Sequence, residues 1–273
     1  MSRWEREGEA PPAPEPLTVP VLDSHCHLDI VGGDVGAQLA AAKAVGVNTV
    51  VQIGIDVESS QLSARIAAEH ADLWAAVALH PNEAGRGAAT AEALAEIERL
   101  AEQPDVKAIG ETGLDHFRTG EEGRVPQEES FRAHIAIAKR TGTTLVIHDR
   151  DAHDDVLRVL AEEGAPDRVV FHCFSGDAAM ARTCAERGYW MSFAGNVTFK
   201  NADDLRAAAA VAPPELLLVE TDAPFLTPMP FRGRPNASYL IPLTMRALAD
   251  VRGDDLDELC AAVAANGRAA FAL

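Results

Sequence analysis

Short apolar runs alternate with helix-like stretches along most of this chain. The runs are VPVLDSH, TVVQIGI, WAAVALH, VKAIGE, TLVIH, RVVFHC, YWMSFAG and LLLVETD. Nearly continuous apolar runs of this length are typical of parallel strands that are buried on both faces. Between them lie stretches with helical spacing and helix end signals, such as SQLSARIAAEH, TAEALAEIERLAEQ, QEESFRAHIAIAKRTG and HDDVLRVLAEEG. Strands that alternate with helices in this way predict an α/β fold, the (β/α)8 TIM barrel.

Length and composition fit one barrel domain behind a short tail. The chain has 273 residues, and α/β barrels of ~250 residues form single domains. Residues 1–16 are rich in Pro, Glu and Ala, so we expect a flexible tail there and the barrel over 17–273. The alternative is an open doubly wound sheet, but the chain lacks the G-x-G-x-x-G and P-loop fingerprints of many such sheets.

Charge and cysteine usage limit the classes of partner. The formal net charge is −18, and an acidic surface repels phosphate backbones, so non-specific coating of duplex DNA is not expected. A nucleic-acid substrate would need local basic residues or bound cations. The four cysteines form no C-x-x-C pair and are expected to be reduced thiols. No apolar run approaches the ~20 residues of a membrane span, and no signal peptide is visible, so we expect a cytoplasmic protein with no membrane partner.

Metal-ligating residue types recur where the predicted strands end. They are His25 and His27 after the first run, Glu111 after the fourth, His148 after the fifth, His172 after the sixth and Asp222 after the eighth. Strand ends converge on one face of a barrel, where barrel active sites lie. Residues i and i+2 of a strand point to the same side, so His25 and His27 can reach one ion while Cys26 is turned away.

This residue set predicts a divalent metal centre. Imidazole nitrogens and carboxylate oxygens suit Zn, Mn or, with more carboxylate and water ligands, Mg. A set of six exceeds what one four-coordinate ion needs, so we expect two ions, with Glu111 as the bridge. A metal pair suits phosphoester hydrolysis, and Asp222 could also accept the proton of the attacking water. Glu111 and Asp222 are therefore the predicted catalytic residues. Any one of these residues alone could instead be a strand-end or helix-cap residue.

Substrate contacts are predicted from the remaining polar residues. The candidates are Arg150, Arg232 and Arg234 as phosphate ligands, Ser175 before a helix start, and His80 and His116 at the ends of strands three and four. The alternative for the arginines is pairing with nearby carboxylates. His70 and His134 lie in helical patterns and are predicted to be surface or packing residues. The Trp and Phe residues are interpreted as core rather than as a base-stacking platform.

Together, six segments resemble the TatD-type metal-dependent hydrolases, a deoxyribonuclease family of amidohydrolase-like barrels. They are DSHCHLD at 23–29, GETGLD at 110–115, IHDRDA at 147–152, FHCFSG at 171–176, ETDAPFLTP at 220–228 and RGRPNASYL at 232–240. The resemblance implies one metal ion at His25, His27, Glu111 and Asp222, and another at Glu111, His148 and His172. The chain departs from the family pattern at His116, where an aromatic residue is usual, and in NGRAAF, where Ala replaces Leu.

Three functions follow for comparison. The resemblance implies a DNA phosphodiesterase, specifically a 3′-5′ exodeoxyribonuclease that prefers single-stranded ends, with DNA as substrate and no stable protein partner. The second possibility is hydrolysis of a non-nucleic ester or amide, or aminoacyl-tRNA deacylation. The third is a non-catalytic metal-binding or interaction protein, which is disfavoured because an already well-cored barrel gains nothing structural from an open ligand set.

Overall fold

All eight predicted strands are present in the computed structural model, which describes residues 8–273. They are β1 (Val21–Cys26), β2 (Val47–Ile53), β3 (Leu73–Val77), β4 (Val106–Asp115), β5 (Thr144–Arg150), β6 (Val169–Phe171), β7 (Trp190–Phe193) and β8 (Leu217–Val219). Every residue of β1 is buried, as expected for a strand covered on both faces.

Helices connect these strands, and the predicted helical stretches are confirmed. They are α1 (Leu28–Val31), α2 (Val35–Ala44), α3 (Val57–Glu69), α4 (Pro81–Ala84), α5 (Ala91–Ala101), α6 (Glu121–Thr141), α7 (His153–Glu163), α8 (Ala178–Glu186), α9 (Asp203–Val211), α10 (Ile241–Arg252) and α11 (Leu256–Phe271). Side chains of Asp34, Asp56 and Thr90 accept first-turn amide protons and so fix where α2, α3 and α5 begin.

The strands follow one another in the sheet in sequence order, from β1 to β8. The pairings of β3 with β4, β4 with β5, β5 with β6 and β7 with β8 are parallel. Cys26, at the end of β1, and Ala223, four residues after β8, form a further parallel bridge, which places the first strand beside the last. This order and pairing are those of the (β/α)8 barrel.

The chain divides into two compact units. One comprises residues 52–175 and 270–272, and its buried residues include Phe131, Ile109 and Ile147. The described part of the other comprises residues 8–51, 176–269 and 273. Its buried residues include Phe193 and Leu218, and Ser24 Oγ hydrogen-bonds to the Val219 carbonyl at 3.0 Å.

The predicted N-terminal tail is partly bound. Its residues 1–7 lie outside the described residues. In the described part, the carbonyls of Glu9 and Ala10 accept hydrogen bonds from Arg234 at 2.7 and 3.0 Å. Tyr239 Oη donates to the Pro11 carbonyl at 2.7 Å. Residues 9–11 are therefore held by loop and helix residues, which the Pro/Glu composition did not indicate.

Two further sequence expectations bear on partners and redox state. None of the helices within residues 8–273 combines the length and the apolar character that crossing a bilayer needs. The cysteines at 26, 173, 184 and 260 are all free thiols, as predicted.

Candidate metal centre

The first cluster lies at the carboxyl ends of β1 and β8 and contains His25, His27 and Asp222. His25 Nε2 lies 3.8 Å and His27 Nε2 3.6 Å from Asp222 Oδ1. Both imidazoles are buried, and the Asp222 side chain is 15% exposed. Ligand atoms ~2.1 Å from a tetrahedral ion lie on the order of 3.4 Å apart. The spacing of these three groups therefore fits a shared cation.

Backbone hydrogen bonds fix the three groups relative to one another. Asp222 N donates to the His25 carbonyl at 2.9 Å, and His27 N donates to the Ala223 carbonyl at 2.9 Å. Asp222 has a φ of +50°, a left-handed conformation in which Asp is one of the enriched side-chain-bearing residues. Because the two chain segments pair directly, the backbone fixes the positions of these candidate ligands.

Strand alternation has the predicted effect on Cys26. Its Sγ accepts a hydrogen bond from Ser238 Oγ at 3.6 Å, so the thiol is directed away from the histidine pair. Burial raises the pKa of the Cys26 thiol well above its ordinary value. A neutral thiol is a poor metal ligand, so Cys26 is a packing residue.

Asp23 anchors the strand that carries the histidines, a role that sequence reasoning did not assign. It is fully buried and accepts hydrogen bonds from Thr221 N at 2.9 Å and Thr221 Oγ1 at 2.5 Å. Burial raises the pKa of Asp23 to about 7, although these hydrogen bonds act to lower it. The contacts tie β1 to the segment before Asp222.

The second cluster gathers the residues predicted from β4, β5 and β6 around Glu111. Its carboxylate Oε2 lies 2.8 Å from His172 Nε2 and 3.2 Å from His148 Nδ1. His172 Nε2 and His148 Nδ1 are 3.4 Å apart. Two imidazole nitrogens and one carboxylate oxygen therefore lie close enough together to bind one ion. Glu111 is only 4% exposed.

The charge state of Glu111 suits a metal ligand. Burial, the largest single influence, raises its pKa, but the electrostatic and hydrogen-bonding interactions with the surrounding histidines, chiefly His172, outweigh burial. The pKa of Glu111 is therefore held well below its ordinary value, and the carboxylate is ionised at neutral pH.

Asp115 orients His148 and was not assigned from the sequence. His148 Nε2 donates to Asp115 Oδ2 at 3.2 Å, which leaves Nδ1 on the side of Glu111 and His172. The pKa of Asp115 falls to about 2 because hydrogen bonds from His148 and from Arg118 N outweigh the effect of burial. A carboxylate behind a ligating histidine fixes its tautomer and raises its basicity.

The sequence did contain a signal for Asp115. Glu111 and Asp115 lie four residues apart on β4, and alternate residues of a strand share a side. Between them, Gly113 pairs with His148 and has a φ of +138°. A Cβ at Gly113 would lie 2.1 Å from the His148 carbonyl oxygen, so only glycine permits this approach of β4 to β5.

His80 lies beside the second cluster but in the wrong protonation form for a ligand. Its Nε2 is 3.7 Å from Glu111 Oε2, within reach of a cation site shared with His148. However, His80 Nδ1 accepts the amide proton of Asn82 at 3.0 Å, so the neutral ring carries its proton on Nε2. Burial lowers the pKa of His80 to about 3, which keeps the ring neutral. His80 therefore presents an N–H donor to the cluster.

Arg150 and His116, predicted as substrate contacts, have partners of their own. The Arg150 guanidinium lies 4.1 Å from the centre of the Phe117 ring. His116 Nδ1 lies 3.9 Å from Asp155 Oδ2 on α7. His116 is thus directed toward a helix, and substrate binding by it stays a prediction.

Arg232, Arg234 and Ser175 occupy different surroundings. Arg232 lies over the Phe199 ring at 4.3 Å and is exposed. Arg234 donates to the carbonyls of the N-terminal segment, which occupy its guanidinium. Ser175 Oγ donates to the Asp149 carbonyl at 3.0 Å.

Two backbone amides at the helix start near Ser175 already have a partner. Helix α8 begins at Ala178, and the Asp177 side chain accepts from Ala179 N and Met180 N, both at 2.9 Å. The carboxylate of Asp177 takes these two amides of the first turn, where an anion would otherwise bind.

Comparison with known proteins gives a consistent family. The sequence model for TatD-related DNases matches residues 22–272. A relative from Mycobacterium tuberculosis, described as an uncharacterized metal-dependent hydrolase TatD, is 46% identical over 93% of this chain and 98% of its own. A relative from Erwinia amylovora, described as a 3′-5′ ssDNA/RNA exonuclease TatD, is 34% identical over 85% of this chain and 91% of its own.

A solved structure supports the fold assignment. The TatD homologue YJJV from Escherichia coli K12 superimposes with a TM-score of 0.87 at 28% identity, covering 93% of this chain and 98% of its own. The predicted (β/α)8 barrel is confirmed.

Proposed function

This chain belongs to the TatD family of metal-dependent hydrolases, and from that premise we propose that it hydrolyses phosphodiester bonds of single-stranded DNA from the 3′ end with two divalent cations. The observation that carries the proposal is the presence of two sets of histidine and carboxylate donors, His25/His27/Asp222 and Glu111/His148/His172, each with donor spacing suited to one ion. The DNA substrate is supported by the Erwinia amylovora relative, which is described as a 3′-5′ ssDNA/RNA exonuclease.

The donor atoms fit Zn, Mn or Mg rather than a soft metal, because they are imidazole nitrogens and carboxylate oxygens with no thiolate among them. His25, His27 and Asp222 would hold one ion. Glu111, His148 and His172 would hold the other, and the sharing of Glu111 between both ions stays a prediction. When bound, such cations lower the pKa of water and stabilise the charge that develops at phosphorus.

In this proposal, two side chains accept a proton or donate a hydrogen bond during the reaction. Asp222 is partly exposed, so its second carboxylate oxygen can accept the proton of an attacking water. His80 presents a neutral Nε2–H group, which can donate a hydrogen bond to a phosphate oxygen. Because burial keeps His80 neutral, we infer that it stabilises charge by hydrogen bonding rather than as a cation.

A strand end fits this proposal better than a duplex interior. The net charge of −18 opposes general DNA binding, so the attraction must be local and must fall with added salt. The proposed cytoplasmic location would expose the enzyme to DNA ends.

The test offers one metal-loaded preparation three substrates: end-labelled linear single-stranded DNA, circular single-stranded DNA, and aminoacyl or amide esters. We expect cleavage of linear DNA only, beginning at the 3′ end. Equal cleavage of circular DNA would refute the strand-end preference. Turnover of the esters alone would replace the nuclease proposal with the ester or deacylase alternative.

A further inference from the structure

Phe117 is an exposed aromatic side chain two residues after Asp115, the carboxylate that contacts the candidate ligand His148. It is 64% exposed, whereas Phe131, Phe171 and Phe174 are almost completely buried. Within residues 8–273, the other large hydrophobic side chains with high exposure are aliphatic: Val125, Val211 and Leu273. The interpretation of every Phe as a core residue is therefore wrong at this position. One exposed apolar side chain is ordinary on a protein surface, so a binding role for Phe117 depends on what surrounds the ring.

The backbone under this ring is held in place. Asp115 Oδ1 accepts from Phe117 N at 3.1 Å and from Arg118 N at 2.7 Å. His116 N donates to the Arg150 carbonyl at 2.9 Å. The ring thus stands on a fixed turn rather than on a free loop.

The same carboxylate links this turn to the metal cluster. Asp115 Oδ2 accepts from His148 Nε2, while Oδ1 accepts from the turn amides. One buried residue therefore sets both the orientation of a metal ligand and the position of the ring. The turn that carries Phe117 is thus joined through Asp115 to the candidate ligand His148.

One face of the ring carries a cation. The Arg150 guanidinium lies 4.1 Å from the ring centre, within the ~6 Å range of cation–π attraction. With one face covered by Arg150 and 64% of the residue exposed, the remaining ring surface is open to solvent. A flat aromatic face backed by a guanidinium is the chemistry that stacks on nucleobases in single-stranded DNA-binding sites.

We propose that Phe117, backed by Arg150, is a stacking platform for one unpaired nucleobase next to the scissile phosphodiester. This deepens the proposed nuclease function and rests on it. Every base has a π face, so the platform tolerates any sequence. A base within a duplex is already stacked and paired, so the platform favours single strands. Arg150 then supports the stacked base indirectly, by holding the Phe117 ring from its other face, in addition to any contact with phosphate.

The test compares Phe117→Ala with wild type on oligonucleotides that carry one abasic residue at successive positions from the 3′ end. In wild type, one abasic position should raise KM about 5- to 150-fold, the range for one lost stack. Phe117→Ala should show this increase on the intact strand and no further increase at that position. Phe117→Trp should keep the stacking interaction, whereas Phe117→Leu should lose it. If Phe117→Ala has wild-type KM, or still loses affinity at the same abasic position, the platform does not exist.

Two controls separate stacking from general effects. Val125→Ala removes an apolar side chain of equal exposure, 65%, from α6 and should leave KM unchanged. Circular dichroism should show that Phe117→Ala folds normally. If wild type cleaves no DNA, the nuclease proposal fails. Stacking is then tested by binding: fluorescence anisotropy gives the dissociation constant of the metal-loaded protein for phosphorothioate oligonucleotides. Equal dissociation constants for wild type and Phe117→Ala in that measurement would also overturn the platform.

Discussion

Asp115→Asn should weaken metal binding without disturbing the turn that Asp115 supports. The asparagine oxygen can still accept from Phe117 N and Arg118 N, as the carboxylate does now. Its amide group would instead face His148 Nε2, which is also a donor. The two donors are incompatible unless His148 changes tautomer, and the other tautomer would place a proton on the nitrogen that faces Glu111.

The magnitude follows from the bond that is lost. Hydrogen bonds to charged groups contribute about 1.5–3 kcal/mol, and the 3.2 Å distance is at the long end of the ordinary range. The lower figure applies, so the metal affinity of this cluster should fall roughly tenfold. Mutation of such a partner typically lowers metal affinity about 10- to 100-fold, so the expected loss lies at the lower end of that range.

Competition titration against a chromogenic chelator measures this affinity directly. Turnover of the variant should recover when the metal concentration is raised in proportion. Asp149→Asn is the matched control, because Asp149 also pairs with a histidine, His153 at 2.8 Å, which is not one of the proposed ligands. Wild-type metal affinity in Asp115→Asn, or an equal loss in Asp149→Asn, would refute the orienting role of Asp115.

Three further outcomes are expected. Glu111→Ala should abolish turnover and lower metal content while circular dichroism stays close to wild type, and full turnover with full metal content would contradict its ligand role. Asp222→Asn should lower turnover more than metal content, since asparagine keeps an oxygen ligand but loses basicity; a near-normal rate at saturating metal would remove Asp222 from proton transfer. His134 is buried, and burial lowers its pKa to about 4 in the folded protein. As the pH falls, this imidazole is therefore protonated in the unfolded chain before it is protonated in the folded protein. Stability should therefore drop by roughly 3 kcal/mol between pH 6.5 and 4 in urea titrations, and His134→Gln should show a flatter pH profile.

The fold and the grouping of the candidate ligand residues could be predicted from the sequence because both leave periodic signals. Buried parallel strands are nearly continuously apolar, and the ligands follow them at their carboxyl ends, as in β5 with His148. The start of α6 was harder to predict from the sequence. The predicted helix began at Gln127, but the helix starts at Glu121 and continues through Pro126, a residue that normally argues against a helix interior.

The surroundings of the ligands were harder to predict because they depend on the third dimension. Phe117 looks like any core phenylalanine in the sequence, and only the turn held by Asp115 leaves it exposed. Ser175 looks like the start of an anion site, but Asp177 caps the helix itself. The partner of Arg234 lies 225 residues away at Glu9, a separation that no local pattern reveals.

Activity as a function of bound metal tests the central claim most directly. Chelator-stripped protein is titrated with Mn2+, and nucleotide release from 3′-labelled single-stranded DNA is followed while metal content is measured on the same sample. A two-cation exonuclease should show no release without metal, with label release increasing until two ions are bound per chain. Release that persists in the stripped protein, or that is complete when one ion is bound, would contradict this account.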